Sequence, residues 1–398
     1  MNTFRKNTRS NFRGTHTSPG RNQSKRKPVS SLDPNLLVKK AKPVSAVSSA
    51  LKGQKFQELN LQAKLQEAIQ KKGYEYLTPI QEMAIPVLLK GIDMLAIART
   101  GSGKTAAFLI PIIERLLKKP QNGSILIIAP TRELALQIGD EFKGLTQGMS
   151  LRFATFIGGT NINMDRKHLA QKPHVIIGTP GRLLDLSNQQ ALHLKSVNTL
   201  VLDEFDRMLD MGFIHDVKRL VALIGLREQT LLFSATLDPT QEKLIADLLD
   251  NPEEIHVDPG TSANEHIDQQ TIRVSEGEDK FVVLQNLFQN GALKKVILFT
   301  ETKRLADRLS KKLNQCGIPA GQIHGNKSQN FRNKILSDFK QGSIRVLVAT
   351  DVAARGIDVV DVSHVINYQI PMTMDSYIHR IGRTGRAGKT GQAITFIN

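Results

Sequence analysis

The feature that most constrains the fold of this 398-residue chain is the alternation of short apolar runs with helix-like stretches. The runs are continuous rather than alternating in polarity, as expected for strands buried on both faces of a parallel sheet. In the first part of the chain the predicted strands are 94–98, 124–129, 174–178, 199–203 and 230–234. The segments between them, such as 105–117 and 132–144, have a helical pattern. The sequence therefore predicts repeated βαβ units.

A polar break with proline and glycine at 258–265 divides this pattern and predicts a linker. A second α/β series follows, with predicted strands at 270–274, 295–299, 320–324, 345–349, 364–367 and 392–397. The fold class expected is α/β with two tandem parallel-sheet domains. The cleft between them lies where open sheets bind ligands. The predicted boundaries are 56–258 for the first domain, 259–267 for the linker and 268–398 for the second domain.

Residues 1–55 form a segment of different composition. They hold 13 Lys or Arg against the single acid Asp33, whereas the remainder holds 41 basic against 36 acidic residues, so the segment supplies most of the net charge of +17. Its polar residues and few aromatics predict a disordered basic tail. Two interpretations stay open, contact with a polyanion through counterion release and a solvated linker that binds nothing.

Three absences narrow the class of protein. No apolar run approaches the ~18 residues of a membrane span, and no apolar stretch follows the N-terminal charges as in a secretory signal. Cys316 is the single cysteine, so an intrachain disulfide and a cysteine-based metal site are excluded. These observations predict a cytoplasmic location without membrane contact.

A glycine-containing turn, Ala-Arg-Thr-Gly-Ser-Gly-Lys-Thr, follows the first predicted strand and opens a helix. It resembles a P-loop with Ala98 in place of the first glycine. Its glycines and the helix N-terminus suit phosphate binding, with Lys104 on the β- and γ-phosphates and Thr105 on Mg²⁺. The predicted nucleotide-binding residues here are Thr100, Gly101, Ser102, Gly103, Lys104 and Thr105. The alternative is a turn that binds nothing.

A pair of acids, Asp203 and Glu204, ends another predicted strand. Asp203 is expected to hold Mg²⁺, and Glu204 to orient and deprotonate the attacking water. Alone, such a pair is also typical of a helix N-cap cluster. Together with the P-loop it indicates ATP hydrolysis.

From Phe56 to its C-terminus the chain resembles the DEAD-box RNA helicases, whose domains are RecA-like. Residues 73–81, Gly-Tyr-Glu-Tyr-Leu-Thr-Pro-Ile-Gln, are similar to the family's Q motif, and Phe56 lies 17 residues before its glycine. The resemblance implies that Gln81 pairs with N6 and N7 of adenine while Phe56 covers the base, which favours ATP over GTP. It also implies that Ser234 and Thr236 couple hydrolysis to strand separation, their hydroxyls bonding to the acidic cluster through Asp206. The alternative for these hydroxyls is to satisfy a helix N-terminus.

The resemblance implies RNA binding that reads phosphate and ribose rather than base sequence. The residues implied are Pro130, Thr131, Arg132, Gly158, Gly159, Thr179, Pro180, Gly181, Arg182, Thr350 and Gly356. The partners expected are single-stranded and duplex RNA, with added contacts from the basic tail. Ribosome assembly or RNA decay is the expected setting.

The second domain also matches the family, at 296–300, 329–332 and 349–358. Asp358 is implied to contact the ribose, and Arg383 and Arg386 resemble arginine fingers on the γ-phosphate. A solvated basic face is the alternative for these arginines. An active site split in this way predicts that ATP and RNA bind cooperatively on closure, giving local, non-processive duplex opening.

Two departures from the family leave alternatives open. Phe205 stands where the family has alanine, and a larger side chain must find space there, which can disturb the link to the 234–236 motif and lower efficiency. Activity is expected to survive, because both acids and Asp206 remain. The chain ends at Asn398, where family members commonly continue with another helix, which suits a short natural form or a trimmed one. Besides an RNA helicase, an RNA-dependent ATPase acting as a clamp and a weakly active scaffold stay open. A DNA translocase is disfavoured by the Q motif and residues 179–182.

Overall fold

The computed structural model describes residues 32–41, 53–98, 101–225, 227–237, 239–257, 266–289, 293–354, 359, 361–385 and 390–397. Within them the chain forms two parallel sheets, one of seven strands and one of six. This confirms the predicted fold class of two α/β units. Over the same residues, no helix combines the length and the apolar character needed to cross a membrane.

The first sheet is entirely parallel among its hydrogen-bonded neighbours. Its strands are β1 Met94–Ile97, β2 Ile125–Ile128, β3 Phe153–Phe156, β4 Val175–Gly178, β5 Thr199–Leu202, β6 Gln229–Ser234 and β7 Glu253–His256. Their order is β3-β4-β2-β5-β6-β1-β7. This order places the ends of β1, β5 and β6 side by side, so that the loops after these strands meet at one edge.

Helices cover both faces of the first sheet. They are α1 Ala63–Lys71, α2 Pro79–Leu89, α3 Lys104–Lys118, α4 Arg132–Leu145, α5 Ile162–Ala170, α6 Pro180–Asn188, α7 Phe205–Asp210, α8 Ile214–Ala222 and α9 Pro239–Ala246. Successive residues of β2 belong to two separate apolar clusters, Ile125 and Ile127 to one, Leu126 and Ile128 to the other. The continuous apolar runs of the sequence therefore reflect a core on each face.

The second sheet repeats this plan with all neighbours parallel. Its strands are β8 Ile267–Arg273, β9 Val296–Phe299, β10 Ala320–Ile323, β11 Val346–Ala349, β12 His364–Asn367 and β13 Gly391–Ile397. Their order is β10-β11-β9-β12-β13-β8. The helices of this part are α10 Lys280–Gln289, α11 Lys303–Gln315, α12 Gln329–Gln341, α13 Asp351–Ala354 and α14 Met374–Ile381.

The strands missing from the sequence prediction are β3 and β7, and both lie at edges of the first sheet. In β3 buried residues alternate with half-buried ones, and in β7 only Ile255 is buried. An edge strand is covered on fewer sides than a central one, so it needs no continuous apolar run. In the first sheet the prediction therefore found the central strands and missed the two edges, whereas in the second sheet it also found the edge strands β8 and β10.

Within the segment predicted to be a disordered tail, the structure describes residues 32–41 and 53–55 as ordered, Lys55 through a bridge to Tyr76. Pro34–Leu37 form a short 3-10 helix, which Asp33 caps by accepting from the Asn35 N–H at 2.9 Å. Leu37 is fully buried. The composition of the whole segment does not reveal the local turn signal, Asp-Pro, or the apolar Leu37 three residues after the proline. The rest of the tail up to residue 52, and most of the predicted linker, lie outside the described residues.

Candidate active site and nucleic-acid interface

The P-loop-like turn joins β1 to α3, as predicted. Gly101 and Gly103 both have positive φ, +83° and +98°, a conformation that side chains disfavour. Lys104 is buried, and its ammonium donates to the Ala98 carbonyl at 2.8 Å. Gly101, Gly103 and Lys104 thus lie together at the carboxyl end of β1, where they line one cavity.

The Q-motif helix α2 packs directly on this turn. The Gln81 carboxamide accepts from the Thr78 N–H at 2.9 Å and donates to the Gly103 carbonyl at 3.1 Å. A Cβ at Gly103 would lie 2.6 Å from the Gln81 nitrogen, so a side chain there would displace Gln81 and strain the backbone at φ +98°. Gln81 is therefore in direct contact with the phosphate loop. The sequence did not predict this contact.

Aromatic side chains close the far end of the same cavity, which has a volume of about 420 Å³. Phe56 is buried and stacks on Tyr74 with ring centroids 5.9 Å apart. The predicted residues that line the cavity are Phe56, Gln81, Gly101, Gly103, Lys104, Thr105, Asp203, Glu204 and Arg383. Lining residues not predicted are Tyr74, Tyr76, Thr78, Ala106, Leu134, Gln137 and Glu141.

The acidic pair lies at the end of β5, and both acids are buried. Burial raises the pKa of Asp203 to about 6, against the opposing charge of Lys104. Burial would also raise the pKa of Glu204, but the positive charges of Arg207 and Lys104 outweigh it, and the pKa is lowered. Glu204 adopts a left-handed backbone (φ +52°) unusual for a residue with a side chain. The end of this strand thus carries two neighbouring carboxyl groups, one with a raised pKa and one with a lowered pKa.

The second domain reaches this cavity through the segment that follows α14. Arg383 is buried, lines the cavity and contributes to the lowered pKa of Glu204. Arg207 ties the domains beside it, with its Nε 3.4 Å from Glu204 Oε2 and an Nη 3.3 Å from His379 Nδ1. The two predicted halves of the site therefore meet in one space.

The link between the acidic cluster and residues 234–236 is present, although one detail was predicted wrongly. Asp206 accepts from the Ala235 N–H at 3.3 Å and from the Thr236 hydroxyl at 3.4 Å. The Ser234 hydroxyl instead donates to the Thr236 carbonyl at 2.7 Å, because it points along its own loop. Phe205 is fully buried within the apolar cluster beneath this loop. The larger side chain is accommodated in the core, and the expected disturbance of the link is not seen.

A second cavity of about 340 Å³ lies between the domains on another side. Its predicted RNA-binding residues are Pro130, Thr131, Arg132, Gly158, Thr179, Gly181 and Arg182. The second domain contributes Gly325, Arg332 and Ala353. Gly159, Pro180 and Thr350 do not line it, although the first two adjoin lining residues. The cavity is therefore built by both domains.

Three arginines line this second cavity, and two of them are paired with carboxylates. Burial lowers the pKa of Arg132, with contributions from the charges of Arg332 and Arg182. Arg182 pairs with Asp165 at 3.0 Å, and Arg332 pairs with Glu133 at 2.9 Å. The Nε atoms of Arg182 and Arg332 are buried without a hydrogen-bond partner in the described part of the chain. Buried donors of this kind favour an anionic ligand.

Direct contacts cross between the domains next to this cavity. Glu133 of α4 pairs with Arg332 and also accepts from the Gln329 carboxamide at 3.0 Å. Gln329 in turn accepts from Arg132 at 3.5 Å. Gln329 and Arg332 lie one turn apart on α12, a spacing that puts both on one helical face.

Six residues that make these buried polar contacts were not predicted individually as site residues: Glu133, Asp165, Arg207, Gln329, Arg332 and His379. Glu133, Gln329 and Arg332 do lie in segments that match the family. For Gln329 and Arg332 the helical spacing of two polar side chains was a usable signal, whereas nothing local indicated their partners. The predicted residues Thr100, Gly356, Asp358 and Arg386 lie outside the described residues. Ser102 adjoins the lining glycines of the phosphate loop.

Comparison with known proteins agrees with this architecture. The family model for the DEAD/DEAH box helicase matches residues 78–244, and that for the helicase conserved C-terminal domain matches residues 279–388. The two matches fall on the first and second sheets in that order.

Individual relatives extend the comparison. The chain is 44% identical over 342 residues to the DEAD-box ATP-dependent RNA helicase CshA of Bacillus licheniformis, covering 86% of this chain and 70% of that protein. It is 45% identical over 343 residues to the ATP-dependent RNA helicase CshA of Listeria monocytogenes, covering 86% of this chain and 66% of that one. The chain thus spans about two thirds of the length of these relatives.

A solved structure of S. cerevisiae Dbp5, bound to RNA and ADP BeF3, superposes with a TM-score of 0.77 and 31% identity. The match covers 87% of this chain and 90% of that one. Both domains are thus shared with proteins of one family, and the chain belongs to the DEAD-box ATP-dependent RNA helicases.

Proposed function

We propose that this helicase hydrolyses ATP in the 420 Å³ cavity and uses domain closure to open short RNA duplexes locally and non-processively. The observation that carries the proposal is the meeting of Lys104, Glu204 and Arg383 in that one cavity. Neither domain alone holds both the acidic pair and the arginine. Hydrolysis is therefore tied to closure.

The nucleotide would lie with its base toward Phe56 and its phosphates on the loop at Gly101–Gly103. The Gln81 carboxamide donates one hydrogen bond to, and accepts one from, protein groups, which leaves one further N–H and one lone pair for a ligand. These suit N7 and the N6 amino group of adenine, which supports ATP as the substrate. Lys104 would exchange the Ala98 carbonyl for phosphate oxygens.

Mg²⁺ fits the residues at the strand ends. Thr105 and Asp203 line the cavity together and offer a hydroxyl and a carboxyl oxygen, the ligand chemistry that this ion prefers. The raised pKa of Asp203 reflects a buried carboxyl group short of positive charge. The ion would neutralise phosphate charge and polarise the phosphoryl group.

Glu204 is the proposed base. Its Oε2 atom is buried, lies 3.4 Å from Arg207 Nε as an ion pair and makes no hydrogen bond within the described residues, so a lone pair remains for a water molecule. The lowered pKa keeps the carboxylate ionised at neutral pH, as a proton acceptor must be. Arg383 faces the same space and would stabilise negative charge that develops on the γ-phosphate.

RNA would occupy the second cavity through its backbone. Arg132, Arg182 and Arg332 supply positive charge, and the loops at Pro130, Gly158 and Thr179 supply backbone and hydroxyl groups. Such groups bind phosphate and ribose and do not read bases, so binding is proposed to be independent of sequence. The similar Dbp5 structure is bound to RNA, which supports RNA as the ligand of this chain.

Because both cavities are shared between the domains, each ligand favours the same closed arrangement. ATP and RNA are therefore proposed to bind cooperatively. Closure around one strand excludes its complement, and opening after hydrolysis releases the strand. A cytosolic role in ribosome assembly or RNA decay is proposed. Crosslinking in cells, followed by sequencing of the bound RNA, tests that setting.

The central test measures ATP hydrolysis with and without RNA, together with displacement of a short RNA strand from blunt and tailed duplexes. We expect RNA to stimulate hydrolysis and both duplexes to open. Glu204→Gln, nearly the same in shape, is expected to bind both ligands but to lose hydrolysis. Absence of RNA-stimulated ATPase in the unaltered protein would overturn the proposal, and hydrolysis without strand displacement would favour the clamp.

Phe205→Ala separates the helicase from the weakly active scaffold. Since Phe205 is fully buried in the core, its removal should lower the free energy of unfolding by roughly 3–5 kcal/mol. No gain in ATPase is expected, because the link from Asp206 to Thr236 is already made. Thermal unfolding and steady-state ATPase, measured below the unfolding transition, check both points. A large gain in turnover would support the scaffold.

A further inference from the structure

Residues 32–41 precede the first sheet in the chain yet pack against the second. The side chain of Leu37 is fully buried in a cluster whose other fully or nearly fully buried members are Ile267, Tyr377, Ile381 and Ala393. These belong to β8, α14 and β13 of the second sheet. The neighbouring Leu36 is 65% exposed, so burial is specific to one side chain of the segment.

Backbone pairing holds the segment in register. The Lys39 N–H donates to the Gln269 carbonyl at 3.0 Å, and the Gln269 N–H donates to the Lys39 carbonyl at 2.7 Å. Gln269 lies on β8, the edge strand of the second sheet, where main-chain groups are open to pairing. The segment therefore adds an antiparallel bridge to that edge.

Tyr377 connects this contact to α14. Its hydroxyl lies 3.3 Å from the Leu37 carbonyl and 3.0 Å from the Gln269 side-chain oxygen. Ile381, one turn further along, belongs to the same cluster as Leu37. One face of α14 is thus covered by the N-terminal segment.

The same helix delivers the second domain's residues to the nucleotide cavity. His379 reaches Arg207 from α14, and Arg383 follows two residues after its end. The Arg383 N–H donates to the Arg380 carbonyl at 3.1 Å, so the arginine is joined to the helix by a short turn. Movement of α14 would therefore move Arg383.

The chain that carries the segment is also fixed to the first domain. The Leu77 N–H donates to the Gln54 carbonyl at 2.9 Å, and the Phe56 N–H donates to the Glu75 carbonyl at 3.1 Å. Residues on either side of 42–52 are thus bound to different domains. The N-terminal stretch connects the two domains independently of the predicted linker at 259–267.

We propose that residues 32–41 act as a clasp in cis, in which Leu37 holds α14 so that Arg383 stays directed at the nucleotide. Leu37 is a positioning residue, since it touches neither nucleotide cavity nor RNA cavity. The proposal rests on the assignment of Arg383 to ATP hydrolysis made above. The clasp predicts that the contact of Leu37 at edge strand β8 controls the rate of ATP hydrolysis in the nucleotide cavity, which Arg383 lines.

The test compares Leu37→Ser with Leu36→Ser in the full chain, the same substitution at adjacent buried and exposed positions. Amide exchange is followed at Gln269, whose N–H is bonded to the clasp, and along α14. Leu37→Ser is expected to speed exchange at both, and Leu36→Ser to leave them unchanged. The kcat of RNA-stimulated ATPase should fall roughly tenfold for Leu37→Ser, less than the ~10²-fold that misplacing a catalytic group by about 1 Å can cost. KM for ATP should change less than kcat.

A double-mutant cycle with Tyr377→Phe tests the route of the effect. If Leu37 acts through Tyr377, the two losses of kcat are not additive, whereas independent losses of stability add. Faster exchange without a fall in kcat would overturn the clasp, as would equal behaviour of Leu37→Ser and Leu36→Ser. Those results leave the proposed function intact if Arg383→Ala is inactive. Loss of the function itself would instead be seen as absent RNA-stimulated ATPase in the unaltered protein.

Discussion

The two places where the domains meet are built differently. In the nucleotide seam, formed by Lys104, Asp203, Glu204 and Arg383, charged groups of both domains face one cavity of about 420 Å³. In the RNA seam, formed by Arg132, Glu133, Gln329 and Arg332, the domains touch directly through a buried ion pair of 2.9 Å. The nucleotide seam is therefore arranged around a cavity that charged groups of both domains face, whereas the RNA seam combines its cavity of about 340 Å³ with a direct ion pair between the domains.

This difference assigns separate tasks to the seams. Charged groups that face a binding cavity stabilise the transition state most when charge develops in that cavity, so they affect the chemical step. A buried ion pair between domains contributes only when they are closed, which is a demand of coupling. Changes in the nucleotide seam should therefore alter turnover, and changes in the RNA seam should alter how strongly ATP promotes RNA binding.

The largest effect is expected for Arg383→Ala. An arginine that stabilises charge on the transferring phosphoryl group is typically worth ~10³–10⁵ in kcat. RNA affinity with a non-hydrolysable ATP analogue should change far less, because Glu133 still pairs with Arg332. Single-turnover ATPase and fluorescence anisotropy with labelled RNA measure the two quantities. Arg308→Ala, an exposed arginine on α11, is the control for loss of one charge.

A result in which Arg383→Ala weakened RNA binding as much as turnover would break the separation of the seams. Such a result would mean that the arginine holds the closed arrangement rather than acting on the phosphate.

Arg332→Gln should produce the next largest effect, and on the other quantity. The substitution leaves the buried Glu133 carboxylate without its cation, which destabilises the closed arrangement specifically. The enhancement of RNA affinity by an ATP analogue should fall by about 5–150-fold, the usual range of coupling between sites. RNA affinity without nucleotide should change much less. Anisotropy titrations with and without the analogue measure both.

The double variant Glu133→Gln with Arg332→Gln is the control. Removing both charges avoids an unpaired buried carboxylate, so part of the coupling should return. If the double variant were as weak as the sum of the single ones, the ion pair would not be the source of coupling.

The seams also differ in how far sequence could predict them. The nucleotide seam depends on local patterns, a glycine turn before a helix and two acids after a strand, and the structure brings these together with Arg383 as expected. The RNA seam depends on Gln329 and Glu133, which are 196 positions apart. A pairing of that separation is set by the way two domains pack, and one sequence carries no pattern for it.

Similar reasons explain the smaller errors. Ser234 and Thr236 have the same chemistry, and only the path of their loop decides that Thr236 reaches Asp206. Leu37 lay within a segment whose composition indicated disorder, because a single buried anchor hardly changes an average. The central strands were predicted well since burial on both faces leaves a continuous apolar run.

The smallest effect is expected for Gly159→Ala, which tests whether the position of Arg132 matters to the RNA seam. Gly159 has φ +84°, and a Cβ there would lie 2.6 Å from an Nη of Arg132, so the guanidinium must move.

Gly148→Ala is a matched control, because Gly148 has φ +79° and nothing within 4 Å of an added Cβ. Both variants incur a similar backbone cost, and the difference isolates the displaced arginine. With the ATP analogue present, Gly159→Ala should bind RNA on the order of fivefold more weakly than Gly148→Ala, because a displaced guanidinium weakens its hydrogen bond by about 1 kcal/mol rather than losing it. Equal affinities would show that Arg132 serves the contact with Gln329 and not the RNA.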